Sequence, residues 1–426
     1  MLRFESFLLF ALVGCSARTG LEVDGDTGAG GATSVTSTTT SSDVGGGPPS
    51  SCDGLVVVDP IVALSTPAPA ARAPEIGVLP EGDAWVTLVE SPPGVPGTLR
   101  VGRTNAFTEW PPNFVAMVEL DPAVLDYVAG PGAGVPVALI RHASDAFLAT
   151  SLFPTLEGIP FDTSGVPLFA VGISGRFLAA STLPTAGYSI LEMESYQPRS
   201  LPQSEGPVLC TPQAILAAAV PVPDGFLVAY GSRNADDLCP PFDDKPPPSV
   251  VTTVHYRSTP DPGSFLTYEE TDHAVFDDTV AHLALAQAPF GAWEVFQAAG
   301  DNARQPPAIL AQRLGPNGVS LEPSGPVRVS PDGVTTPFIA VAPLGDALVV
   351  AWIDSFDPTA PTIIVQLVRA DMTLGPSTSI PTNEVWQTGR LRIVASPNQR
   401  SLLFAWEGGI DVPAVGLARV DCVTGL

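Results

Sequence analysis

The chain has 426 residues, enough for two or three average domains or for one large all-β domain. With 47 Pro, 40 Gly and a lone lysine, Lys245, the composition is hostile to long helices. Hydrophobic residues make up 45%, so a large core is within reach, while 44 acids against 19 bases give a net charge of −25. That balance excludes a nucleic-acid partner, which needs a basic surface, and electrostatic docking on anionic lipid.

Arg3 opens the chain and Phe7 to Val13 form an apolar run too short for a permanent membrane span. The run ends in Leu12-Val13-Gly14-Cys15, which resembles the lipobox of bacterial lipoproteins. That resemblance implies cleavage after residue 14, lipid on Cys15, and anchorage of the mature chain in a membrane. Ser16 after the Cys is neutral, which in such lipoproteins implies sorting to the outer membrane, facing the periplasm or the cell surface.

Residues 15–51 read as a lipidated Cys followed by a tether. Ala32–Ser42 is almost all Thr and Ser, and Gly45-Gly-Gly-Pro-Pro49 follows, so the segment has too little to bury to offset its ordering entropy. A flexible coil of its length reaches about 30–36 Å on average. Asp24 and Asp26 resemble the start of a calcium loop, but the other ligands are missing and no metal is expected there.

Setting Cys15 aside, Cys52, Cys210, Cys239 and Cys422 remain, an even set in an exported chain. Four cysteines allow three pairings. Cys52–Cys422 would tie the two ends of the ordered region, and Cys210–Cys239 would close a local segment, so this is the expected pair of disulfides. No Cys-x-x-Cys occurs and His142, His255, His273 and His282 lack ligand spacing, so neither metal nor cofactor is expected.

From residue 52 to 426 one theme repeats. Phe226–Tyr230, Leu348–Trp352 and Leu402–Trp406 each run three apolar residues, Ala, then an aromatic. Each follows a turn signal and an earlier apolar stretch, which reads as strand, tight turn, strand. Trp85–Val89, Phe147–Ser151, Phe177–Ser181 and Trp293–Gln297 are looser copies. A third strand ending in Arg follows, at Arg103, Arg257, Arg313, Arg369 and Arg419. The unit is a four-stranded meander, and the array predicts an all-β single β-propeller. A spacing near 54 residues between the late copies predicts seven blades, or six if 147 and 177 share one. The last unit lacks a fourth strand, and Leu55–Val58 is an orphan strand that would supply it.

The lipobox, the Ser/Thr/Gly tether and the strand-aromatic, strand-Arg repeat together resemble the secreted β-propeller lipoproteins numerous in predatory, high-GC Gram-negative bacteria such as myxobacteria. The resemblance is one of pattern along the whole chain and implies a fold and an address, without a substrate.

Signatures of catalysis are scarce. No Gly-x-Ser-x-Gly, Gly-x-x-x-x-Gly-Lys, His-Glu-x-x-His or Gly-x-Gly-x-x-Gly occurs. Ser330–Thr335 reads as a plain Asp-Gly turn. The recurring Arg residues are expected to pair with nearby acids, and Tyr230, Trp352 and Trp406 to pack between blades. The loop Asp236–Pro248 inserts four acids and Cys239 into one unit and is the main irregularity. His273 and His282 flank Asp277-Asp278, a weak candidate for acid–base work. The expected function is a binding or scaffold module, a monomer held at the membrane by lipid, with a protein or glycan ligand. The alternative is a carbohydrate-active hydrolase or lyase with its site at the central channel.

Overall fold

A computed structural model describes residues 52–424 apart from segments between strands, among them 201–215, 234–248 and 383–389. The leader, Cys15, the tether, Cys210, Cys239 and the acidic insert therefore lie outside the described residues.

Among the described residues the strands form seven four-stranded antiparallel sheets. Blade one is Ala71–Val78, Ala84–Glu90, Gly97–Thr104 and Phe114–Val124. Blade two is Asp126–Pro131, Pro136–Arg141, Ala146–Ser151 and Glu157–Phe161. Blade three is Leu168–Ser174, Phe177–Thr182, Gly187–Glu192 and Gln197–Ser200. Blade four is Leu216–Val222, Gly225–Arg233, Ser249–Arg257 and Thr267–Phe276. Blade five is Thr279–Ala288, Gly291–Ala299, Ala308–Leu314 and Val327–Arg328. Blade six is Ile339–Leu344, Ala347–Asp354, Thr362–Val368 and Leu374–Pro381. Blade seven takes Leu391–Ala395, Ser401–Gly408 and Ala414–Val423 from the end of the chain and Gly54–Ala63 from its start. Each first strand neighbours the first strands of the blades on either side, blade seven meeting blade one, so the sheets close a ring and the fold is a β-propeller.

Position in the ring explains composition. First strands crowd the axis, so they are rich in small residues, as in Leu216-Ala-Ala-Ala-Val-Pro-Val222 and Ile339-Ala-Val-Ala-Pro-Leu344. Each is also a sheet edge, which is where a strand accepts Pro, and Pro74, Pro221 and Pro343 all sit in first strands. Second strands lie inside the sheet with neighbouring blades over both faces. Ser401–Gly408 is buried at every position, and its apolar run shows no alternation. The core is accordingly a set of layers between blades. Phe404, Trp406, Ile363 and Leu55 fill the layer of blades six and seven; Trp293, Val295, Leu348 and Trp352 that of blades five and six.

The aromatic repeat marks second strands, with one exception. Phe147–Ser151 lies in the third strand of blade two, whose second strand, Pro136–Arg141, carries no aromatic. Phe177 belongs to blade three, so 147 and 177 do not share a blade. Leu55–Val58 is indeed the missing outer strand: Leu55 faces Cys422 and Val58 faces Arg419, with a register shift between Val58 and Val62. Cys52 and Cys422 are disulfide-bonded, their Cα atoms 5.5 Å apart.

Two repeat aromatics lie flat on a glycine of the adjoining strand. Trp85 is opposite Gly77 and Trp406 is opposite Gly416, and a Cβ on either glycine would run into the indole ring. Gly416→Ala is therefore expected to lower unfolding stability by about 1–3 kcal/mol through overpacking. Chemical denaturation measures this, and an unchanged midpoint would show that the indole has room to move.

Candidate functional site

The densest polar constellation sits on first strands near the axis. Blade one's first strand reads Ala71-Arg-Ala-Pro-Glu-Ile-Gly-Val78, and its pairing slips between Arg72 and Glu75. Within that bulge Ala73 is left-handed at φ 52°, a conformation that costs a non-glycine residue on the order of 1 kcal/mol. Its N–H donates to Glu407 Oε2 of blade seven at 2.8 Å, which helps to hold it there.

The bulge presents Glu75 to blade seven. Its side chain is 4% exposed and receives both Arg390 and Arg392. Arg392 forks onto the carboxylate, Nε to Oε2 at 2.5 Å and Nη2 to Oε1 at 2.8 Å, the bidentate geometry that fixes direction as well as charge. Arg390 Nη1 donates to Glu75 Oε1 at 2.7 Å and to the Tyr127 carbonyl of blade two at 2.6 Å. Its guanidinium also lies 5.8 Å from the Tyr127 ring centroid. The Tyr127 hydroxyl donates to the Ala73 carbonyl at 2.7 Å and shares a 2.8 Å hydrogen bond with Thr87 Oγ1. Burial, then the Glu75 charge, push that hydroxyl above the usual phenol range, so it stays protonated and donates. Arg72, also buried, donates to the carbonyls of Leu125 at 2.9 Å and Val95 at 3.2 Å. The cluster ties blades seven, one and two to one another.

The recurring Arg residues form a different arrangement, on one rim. Arg103 pairs with Asp83 at 2.7 Å and Glu81 at 2.9 Å; Arg313 pairs with Glu322 at 2.5 Å; Arg419 pairs with Asp421 at 2.7 Å. Two of them also reach the next blade. Arg313 Nη1 donates to the Ala370 carbonyl at 2.7 Å and Arg419 Nη1 to the Ala106 carbonyl at 3.3 Å. The repeat thus supplies rungs between blades. Trp352 and Trp406 are buried between blades, as their spacing implied, while the side chains of Arg257 and Tyr230 lie outside the described residues.

A third polar group is hidden between blades four and five. Glu294 is fully buried, accepting from Gln312 Nε2 at 2.5 Å and from Thr253 Oγ1 of blade four at 3.1 Å. Burial raises its pKa to about 7 against the pull of those two donors. His282 is half-buried, 6.4 Å from the Phe338 ring, and burial lowers its pKa. The side chains of His273, Asp277 and Asp278 lie outside the described residues, as does the predicted Cys210–Cys239 pair. Sequence reasoning missed Glu75, Arg390, Arg392, Tyr127 and Glu294. For Glu75, Arg392 and Glu294 the one signal was charge inside otherwise small, apolar strands.

No protein-family model matches the chain, and no curated protein matches it. Among solved structures it is similar to a protein of unknown function from Dyadobacter fermentans, at 13% identity and TM-score 0.49, covering 87% of this chain and all of that one. A Penicillium chrysogenum α-L-arabinanase complexed with arabinobiose shares 12% identity at TM-score 0.44, with 89% and 100% covered. A sialidase from Streptococcus pneumoniae shares 11% at TM-score 0.39, with 83% and 69% covered.

Two outcomes follow from the buried charges. Glu75→Ala leaves Arg390 and Arg392 facing each other and is expected to cost on the order of 2–3 kcal/mol. That is below the full cost of breaking a buried pair, because the two Arg side chains are 23% and 35% exposed. Adding Arg392→Ala should recover part of the loss, and a double-mutant cycle without coupling would refute the clamp. For Glu294 the folded state holds a proton that the unfolded chain releases at ordinary carboxylate pH. Stability should thus decline as pH rises from about 4.5 to about 7 and level off above, a total of roughly 3 kcal/mol. Glu294→Gln is expected to flatten that slope in denaturation midpoints taken across the window.

Proposed function

We propose that the chain is a lipid-anchored protein of the cell envelope whose propeller acts as a binding or scaffold module. In this reading Cys15 carries the lipid, residues 16–51 act as a spacer, and Ser16 sends the chain to the outer membrane. The head works as a monomer and presents its loops to a protein or glycan ligand, as rigid scaffolds with variable loops commonly do. The acidic insert at Asp236–Pro248, between the second and third strands of blade four, is the foremost of those loops. The observation that carries the reading is the engagement of the axis-side charges. Glu75, Arg390, Arg392 and Tyr127 bind one another across three blades, so they support the ring rather than face outward to a substrate.

The alternative, a carbohydrate-active enzyme at the channel, needs a pair of carboxylates about 5–9.5 Å apart with their oxygens available. Glu75 is the natural first member, and its oxygens are occupied by guanidinium donors. A direct test incubates the purified full chain with a panel of bacterial and plant polysaccharides, scoring both retention and release of reducing sugar. Retention without release is the expected result. Release that disappears in Glu75→Gln, with the thermal melt still cooperative, would establish the enzyme instead.

A further inference from the structure

The large apolar side chains left exposed are unevenly placed. Among the described residues they are Val56, Val95, Val319, Leu321 and Leu374. Strand direction assigns each to a rim. In an antiparallel meander the third strand runs parallel to the first, so the turns after first and third strands share one rim. Turns after second strands share the other. Val319 and Leu321 lie in the turn between the third and fourth strands of blade five. Leu374 opens the fourth strand of blade six. Val56 lies in the outer strand of blade seven, opposite Asp421 near the end of the third strand. Val95, after the second strand of blade one, is on the other rim. Four of the five therefore share one rim on three consecutive blades. The 2.7 Å bond from Arg313 to the Ala370 carbonyl sets the turns of blades five and six side by side.

The chain enters the propeller at that same rim. Gly54 is opposite Val423, and Cys52 is bonded to Cys422. We infer that this rim, over blades five to seven, rests on the lipid bilayer that holds the anchor. The inference depends on the lipidation of Cys15 proposed above. If the 36 residues of the proposed spacer behave as a flexible coil, their average end-to-end distance is roughly 30–36 Å. Such tethering gives effective concentrations on the order of millimolar, at which weak apolar contacts add up without high intrinsic affinity. Three arginines of this rim already have partners: Arg313 with Glu322, Arg419 with Asp421, Arg369 with the Leu374 carbonyl at 2.9 Å. Paired charges approach a headgroup layer with less loss of hydration than free ones. The net charge of −25 selects a zwitterionic surface over an anionic one.

The test uses the full lipidated chain in phosphatidylcholine vesicles, read by flotation and by hydrogen exchange. Flotation that is lost in Cys15→Ser reports the anchor. Exchange at 315–322 and 370–376 is expected to slow several-fold relative to the unlipidated Cys15→Ser chain in solution, with the Ser91 and Val95 amides on the other rim unchanged. Leu321→Glu with Leu374→Glu should restore fast exchange while flotation persists. A chain that floats with unprotected turns overturns the docked rim and leaves the anchor standing. A wild-type chain that does not float overturns both.

Discussion

A ring of sheets depends on the joint that closes it, and here that joint is where blade seven meets blade one. At every other joint of the ring the adjoining sheets follow one another in the chain. At this joint the two ends of a domain longer than 370 residues must find each other, at a considerable entropic cost of loop closure. The molecule concentrates its unusual chemistry there. Blade seven takes its outer strand from the start of the chain, and a disulfide secures that strand. Glu407 holds Ala73 in a left-handed conformation, and Arg390 and Arg392 grip Glu75. Arg419 reaches the Ala106 carbonyl across the same joint. Leu403, Ala405 and Leu417 meet Ile76 and Val86 in an apolar layer beneath these polar groups.

Ionic contacts suit this role because they carry direction. Apolar layers between sheets tolerate sliding, since neighbouring methyl groups are nearly equivalent partners. A forked guanidinium on a buried carboxylate has a single register, and Arg390 adds a second constraint by spanning from Glu75 to the Tyr127 carbonyl. The strained Ala73 is the local cost of that alignment, since the bulge is what turns Glu75 toward its partners.

Much of the architecture was legible in the sequence because a propeller repeats local events. A second strand buried on both faces leaves a run such as Leu402-Leu-Phe-Ala-Trp406, and a strand without a neighbour, Leu55–Val58, announces its partner by default. Blade two was harder to read because Pro136–Arg141 lacks the aromatic, so Phe147 of the next strand took its place. The clamp left no such trace. Glu75 and Arg392 are 317 positions apart and share no motif, and Glu294 looks like any surface acid until the adjoining blade covers it. Contacts made once per ring carry no period, and period was the signal available.

The site of the disulfide has a mechanical consequence. An outer strand pulled from one end would open like a zipper, one hydrogen bond at a time. Because Cys52 precedes the strand and is bonded to Cys422, tension arriving from the residues before it passes into Ala414–Val423. That strand is flanked on both sides, by Ser401–Gly408 and Gly54–Ala63, so the load is shared in shear across two ladders. The fold can thus withstand tension applied at Cys52 without unravelling from the end that bears it.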